Sequence, residues 1–452
     1  MADVATATVK DAGVSIPWPN PRVAWWAVIV FALSLMVNFL DRGILTLLVG
    51  PIKHDLRLSD FQMSLIMGLA FIFFYMVAGL PIARMVDSAS RRRIIGIGLT
   101  LWSLMTAACG LASSFPTLFA ARVGVGVGEA CTGPATYSML ADYFPPEKLP
   151  RAIGVLNMGF VFGSGFALLI GGTVITLLSA TPIVHLPIVG DVKSWQATMM
   201  AVGLPGLIVA ALMLTVPEPV RRGDSGATPP IRDVAAYLVK NRGAYGLMTL
   251  GMVINTVLFI GAGAWTPTFY MRHWGWTPGQ VGTVMAALIF VTQPLGAFCG
   301  VRMAEWLAKR GHDDANMRVT LFAAVALIPF SIAFPFAPSA QIAVGMAAIS
   351  GFIGAWTFGP QNAAFQVITP NRMRGQITAL FLFAFNVVGV GVGPTAVAFL
   401  TTYVFKSEAK LGLSLATAAA VLGPIGATFL AMSLKPYAAR IAELRANEGN
   451  HQ

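Results

Sequence analysis

Apolar positions in this 452-residue chain do not alternate as in a half-buried strand, nor form one stripe as on a soluble helix. They run in long uncharged blocks. Six such blocks lie near 23–49, 61–84, 94–113, 117–140, 152–179 and 196–216, and six more near 244–270, 280–301, 319–336, 340–368, 377–404 and 411–434. Each approximates the roughly 17–25 residues that cross a hydrocarbon core, the longer ones tilting or overrunning it. Lipid offers the backbone no hydrogen bonds, so blocks of this kind are predicted to be helices. They are numbered spans 1–12 below. The longest polar stretch, 217–242 (PEPVRRGDSGATPPIRDVAAYLVKNR), divides them six and six. Its later part, IRDVAAYLVKN, reads as an interfacial amphipathic helix. The predicted organisation is an N-tail (1–22), a six-helix half (23–216), a linker (217–242), a second half (243–434) and a C-tail (435–452). The Pro-rich stretch before Val23 has no apolar core of the kind a cleavable leader carries.

Composition agrees with a bilayer as solvent: 56% of residues are hydrophobic, only 11% are charged, and mean hydropathy is +0.73. A soluble surface needs about 25% charge. The net charge of +11 would ordinarily raise the question of nucleic acid. Its distribution answers it. Of 30 Lys and Arg, 22 fall on the side shared by both termini, and six (Lys53, Arg57, Lys193, Arg272, Lys406, Lys410) on the other. By the positive-inside rule both termini are predicted to be cytoplasmic, in a multi-pass protein of the cell (inner) membrane, with no nucleic-acid partner.

The halves repeat. Gly133-Pro134 in span 4 and Gly359-Pro360 in span 10 are 226 residues apart, and each precedes a Pro-containing turn and a basic residue that opens the next span. Arginine clusters at 84–93 and 302–310 follow spans 2 and 8 in the same way. Two parallel six-helix repeats are a transporter architecture, with substrate held between them near the midplane.

Four ionisable residues remain inside spans: Asp41, Arg42, Arg122 and Glu129, all in the first half. Each costs roughly 2.5–3.5 kcal/mol at mid-bilayer, so each requires a partner or a water-filled path. Asp41 lies about 12 Å below the far boundary, Arg122 about 8 Å and Glu129 about 18 Å, counting 1.5 Å per residue. Arg122 and Glu129 are seven residues apart and share a helical face. Asp41 could pair with Arg122 while Glu129 takes a proton, or stand alone and take one itself. A static ion pair would also satisfy the charges. Arginine suits the fixed role because it keeps its charge.

The motifs carry a resemblance. Span 1 reads Asn38-Phe39-Leu40-Asp41-Arg42, and span 4 reads Arg122-Val-Gly-Val-Gly126-Val-Gly128-Glu129-Ala130, then Pro134, Ser138 and Ala141-Asp142-Tyr143-Phe144. This resembles the Spinster branch of the major facilitator superfamily, whose span 4 has G-x-G-E-A followed by Pro, Ser and A-D-x-F. The resemblance implies an all-α, twelve-helix major facilitator fold, not an enzyme, working as a monomer by alternating access. It implies proton-coupled movement of a lysophospholipid- or sphingolipid-like amphiphile, with Asp41 and Glu129 as protonatable acids and Arg42 and Arg122 as their partners. The superfamily's loop 2–3 signature, G-x-x-x-D-R-x-G-R-R, maps onto Ala83 to Arg92. Asp87, Arg91 and Arg92 survive as gating-loop residues; both glycines and the first arginine do not. Small hydrophilic organic anions are the alternative substrates, since symporters of the same superfamily share N-x-x-D-R elements.

Other chemistry is sparse. Five histidines and Cys109, Cys131 and Cys299 show no metal or disulfide spacing. There is no G-x-x-x-x-G-K-[ST] loop, and Gly124-x-Gly126 meets Glu129 where a dinucleotide fingerprint needs glycine. No cofactor is therefore expected, and a proton gradient is the natural energy source. Polar and aromatic residues that could line a cavity are Asn38, Asn255, Trp265, Gln293, Trp356, Gln361, Asn362 and Asn386.

Overall fold

A computed structural model describes residues 17–449 except 180, 182, 188, 223–229 and 371. Spans 1–6 are Pro21–Leu47, Asp60–Ser88, Arg91–Cys109, Phe115–Glu129 continued by Thr132–Tyr143, Leu149–Ser179 and Ser194–Met213. Spans 7–12 are Arg242–Trp274, Pro278–Lys309, Ala315–Phe336, Ala340–Ala355 continued by Phe358–Ile368, Arg374–Val404 and Leu411–Gly449. Ten of these are long and apolar enough to cross a membrane as they stand. The other two have evident reasons: span 3 opens on three arginines (Arg91–Arg93), and span 4 is broken.

Chemistry sets the ends and the breaks. Asn20 caps span 1 ahead of Pro21, and Thr277 with Gln280 forms a capping box ahead of Pro278 in span 8. Gly275, at φ 67°, closes span 7 in the left-handed conformation. Span 4 loses its helix at Ala130–Cys131 and span 10 at Trp356–Thr357. Pro134 and Pro360 supply no N–H to the carbonyl four residues back, which frees the backbone at both points. The two breaks are again 226 residues apart, so the internal repeat reaches down to a backbone irregularity.

The packing repeats as well. Span 1 lies on span 5, 3 on 6, and 2 on 4; in the second half 7 lies on 11, 9 on 12, and 8 on 10. The halves meet through spans 5 and 8 and through spans 2 and 11. Both contacts need glycine. A Cβ on Gly282 would sit 2.2 Å from the Leu168 carbonyl oxygen, and one on Gly68 would sit 2.4 Å from that of Val390. Gly68 and Val390 both lie in widened π-helical turns, Leu65–Leu69 and Phe385–Val390.

Three features depart from the expected organisation. The connection between spans 5 and 6 forms an antiparallel hairpin, Ile183–Leu186 with Gly190–Lys193. The helix of span 12 runs on to Gly449, past the expected start of the C-tail at 435; the Ala-, Leu- and Glu-containing tail propagates the helix. Val49–Leu56 forms a short helix between spans 1 and 2. In the linker, Ile231–Lys240 is helical, and Tyr237 donates to the Ile368 carbonyl at 2.9 Å, which docks it on the second half. Of the N-tail, residues 1–16 lie outside the described residues.

Candidate functional site

Spans 1 and 4 bring the four intramembrane charges together as two crossed ion pairs. Arg122 Nη1 donates to Asp41 Oδ2 at 2.5 Å, and both side chains are sealed from solvent. Arg42 Nη2 donates to Glu129 Oε2 at 2.6 Å; Glu129 is fully buried, but the Arg42 side chain is 28% exposed. One pair is closed and the other opens through its arginine. Asp41 and Arg42 are consecutive on span 1, so each faces a different partner on span 4, seven residues apart. Phe71 of span 2 stands between the pairs: the Arg42 guanidinium lies 4.1 Å from its ring centroid and that of Arg122 lies 5.9 Å away. Gly126 permits this, since a Cβ there would sit 2.4 Å from the Phe71 carbonyl oxygen. Each pair keeps atoms without a protein partner, including Asp41 Oδ1, Arg122 Nη2 and Glu129 Oε1. The charges neutralise one another without saturating their hydrogen bonds.

The second half offers a different surface. A cavity of about 280 Å³ opens among spans 7–12, walled by Val257, Phe259, Met285, Leu288, Phe334 and Leu415. Gln293, Thr292 and Ser350 give it a few polar points, and Gln293 Oε1 and Ser350 Oγ have no protein partner. Among the described residues, no charged side chain lines it.

The remaining cavity candidates fall elsewhere. Asn38 is buried in span 1. Asn255, Asn362 and Asn386 each donate to their own helix, to the carbonyls of Gly251, Phe358 and Leu382. Trp265 is fully buried and donates to the Pro394 carbonyl at 2.9 Å, tying span 7 to span 11. Trp356 packs against Phe352, and Gln361 is half-buried just past the span 10 break.

Where spans 2 and 3 join, Arg91 is a buried hub. It donates to Asp142, to Ser138 Oγ at 3.0 Å, to Glu218 Oε1 at 2.8 Å and to the Pro219 carbonyl at 3.0 Å. Glu218 also accepts from Ser90 Oγ and from the backbone N–H of Arg91 and Arg92, so it is the acid seated at the N-terminus of span 3. Burial alone would raise its pKa, but Arg91, the Arg92 N–H and Ser90 hold the carboxyl below the usual carboxylate range. Asp87 sits exposed in the last turn of span 2, where its carbonyl, not its carboxylate, accepts from Arg221. Arg92 enters this contact through its backbone alone.

A second ionic cluster has no counterpart in the sequence reading. On the side away from the termini, Asp60 at the start of span 2 accepts from both Nη atoms of Arg272 at 2.8 Å and from Lys53. Lys53 also reaches Glu408 at 2.6 Å, and Arg272 reaches Glu408 at 3.1 Å. Lys53 and Asp60 belong to the first half, Arg272 and Glu408 to the second. Among the described residues, the polar side-chain links seen between the halves, these four residues and Ser64 with Thr395 at 3.5 Å, lie on this side. The structure is thus clamped shut on the far side.

Comparison with known proteins agrees with this architecture. The Major Facilitator Superfamily model matches residues 31–394. An MFS-type efflux pump of Mycolicibacterium smegmatis is 29% identical over 385 residues, 84% of this chain and 85% of the pump. A probable L-galactonate transporter of Escherichia coli is 23% identical, over 66% of this chain and 65% of the transporter. Among solved structures, a bacterial homolog to the human lysosomal transporter Spinster, in an inward-facing and occupied conformation, superposes with a TM-score of 0.75 at 25% identity, covering 93% of this chain and 97% of that one. Repeated six-helix halves, a far-side clamp and this match lead to one conclusion: the chain is a Spinster-like transporter and belongs to the Major Facilitator Superfamily.

Proposed function

We propose that this secondary transporter moves a single-headed amphipathic lipid, of lysophospholipid or sphingolipid type, in exchange for or together with protons. In this reading it works by alternating access in the inner membrane, as a monomer with both termini cytoplasmic. The observation that carries the reading is the division of labour between the halves: crossed ion pairs in the first, an uncharged apolar cavity in the second. An anionic head group has a guanidinium partner at the partly exposed Arg42, backed by the sealed Arg122 pair, and an acyl chain has the cavity of spans 7–12.

The chemistry follows from the exposed pair. A head-group anion reaching Arg42 competes with Glu129 for the same Nη2 donor. A carboxylate displaced from its arginine inside an apolar helix bundle is disfavoured as a charge and takes up a proton. Lipid and proton then occupy adjoining positions, while Arg122 stays bound to Asp41 in the sealed pair. The test is uptake into proteoliposomes under an imposed pH gradient, with lysophosphatidyl lipids, sphingosine phosphate and hexonates compared. Lipid uptake that follows the gradient and loses it in Glu129→Gln is expected. Gradient-driven uptake of hexonates with no lipid uptake favours the organic-anion reading, which the L-galactonate relative supports.

A further inference from the structure

A second site for a charged lipid group lies on the outer face of the first half. Spans 1, 3 and 6 meet on the terminus side around an open pocket of about 390 Å³, lined by Arg22, Val23, Trp26, Arg92, Thr215 and Pro217. Trp26 Nε1 donates to Thr215 Oγ1 at 2.8 Å and fixes the indole as one wall. The Arg92 N–H, bound to Glu218 at 2.8 Å, fixes the position of another. Two guanidiniums therefore share one pocket. Neither has an acidic partner among the described residues, whereas the adjacent Arg91 is bound to Asp142 and Glu218. Glu218, the acid beside the pocket, is committed to Ser90, Arg91 and the backbone of span 3.

The surface beyond the pocket is apolar. Arg22, Trp26 and Ile29 are spaced four and three residues apart, so they share one face of span 1. Ile29 of span 1 and Ile208 of span 6, seven residues before Thr215, are 47% and 63% exposed and lie on the pocket-lining faces of their helices, toward mid-membrane. A cationic pocket with an indole wall, at the end of a lipid-facing apolar surface, matches a phospholipid whose phosphate faces the arginines and whose chains follow the isoleucines. We propose that this pocket holds the phosphate of an anionic phospholipid in the leaflet on the terminus side. The site is separate from the crossed ion pairs and does not depend on what the protein transports.

Native mass spectrometry of the full chain in detergent, titrated with dioleoyl-phosphatidylglycerol, tests the assignment. One phosphatidylglycerol is expected to be retained in preference to dioleoyl-phosphatidylcholine. Each guanidinium removed should weaken retention about fivefold, so that Arg22→Gln with Arg92→Gln loses roughly twenty-five-fold and the paired lysine variants lose less. Arg22→Gln alone removes an exposed, unpaired side chain and supplies the single-site measurement should the double variant fold poorly. Undiminished retention in Arg22→Gln, or equal retention of phosphatidylcholine, overturns the proposal. Displacement of the lipid by millimolar inorganic phosphate would also overturn it, because the pocket would then be a site for the free ion.

Discussion

The far-side clamp makes closure of that face a matter of four side chains. Asp60 is the shared acceptor: it takes both Arg272 donors and Lys53, and it is almost fully buried. Replacing it with Asn removes the first half's only negative charge in the cluster and leaves Lys53 and Arg272 facing Glu408 alone. Breaking a fully buried pair from one side costs about 3–5 kcal/mol. Glu408 still neutralises one cation but is 61% exposed, and exposed pairs contribute only about 0–1 kcal/mol. A loss of at least about 2 kcal/mol of far-side closure is expected, a change of roughly thirtyfold or more in the balance between the two faces. Spin labels at Glu147 and Arg372, exposed on the terminus side of the two halves, read that balance by pulsed electron resonance once Cys109, Cys131 and Cys299 are replaced. The parent should show one long distance, and Asp60→Asn should add a short one. An unchanged distance distribution in a folded Asp60→Asn protein would refute the claim that this cluster holds the far side shut.

Two further outcomes follow from burial and charge. Asp41→Asn strands Arg122, which is fully buried, and should lower stability by about 3–5 kcal/mol, whereas Glu129→Gln leaves a partly exposed Arg42 and should cost less; thermal unfolding in detergent gives the order, and the reverse order would contradict the sealed-and-open assignment. Glu218 carries a depressed pKa, so its docking contribution is complete above the unfolded carboxyl value of about 4.3 and disappears as pH falls through its lower folded value. Hydrogen exchange at residues 217–222 should therefore accelerate only below about pH 4, and that pH dependence should vanish in Glu218→Gln.

Hydropathy made the spans legible because lipid enforces long uncharged helices, and the same rule isolated Asp41, Arg42, Arg122 and Glu129 by subtraction. Spacing on span 4 placed Arg122 and Glu129 on one face, but only the helix packing assigns each its partner on span 1. Phe71 carries no signal in a phenylalanine-rich span; its role comes from standing between two arginines. The far-side clamp was hidden for another reason. Lys53 and Arg272 read as the minority of far-side basic charge, and Asp60 and Glu408 as ordinary loop acids, until the halves face one another. Glu218 was likewise a linker residue in sequence and an N-terminal acid of span 3 in space. Cavity residues were least legible, because asparagines that look available in sequence, such as Asn255 and Asn386, bond to their own helices.

Coupling itself can be measured without an imposed gradient. Lysophosphatidylcholine added to proteoliposomes loaded with a pH-sensitive dye should drive proton movement in step with lipid movement. Glu129→Gln should separate the two or stop both. Lipid movement by the parent protein with no accompanying proton flux would contradict the account.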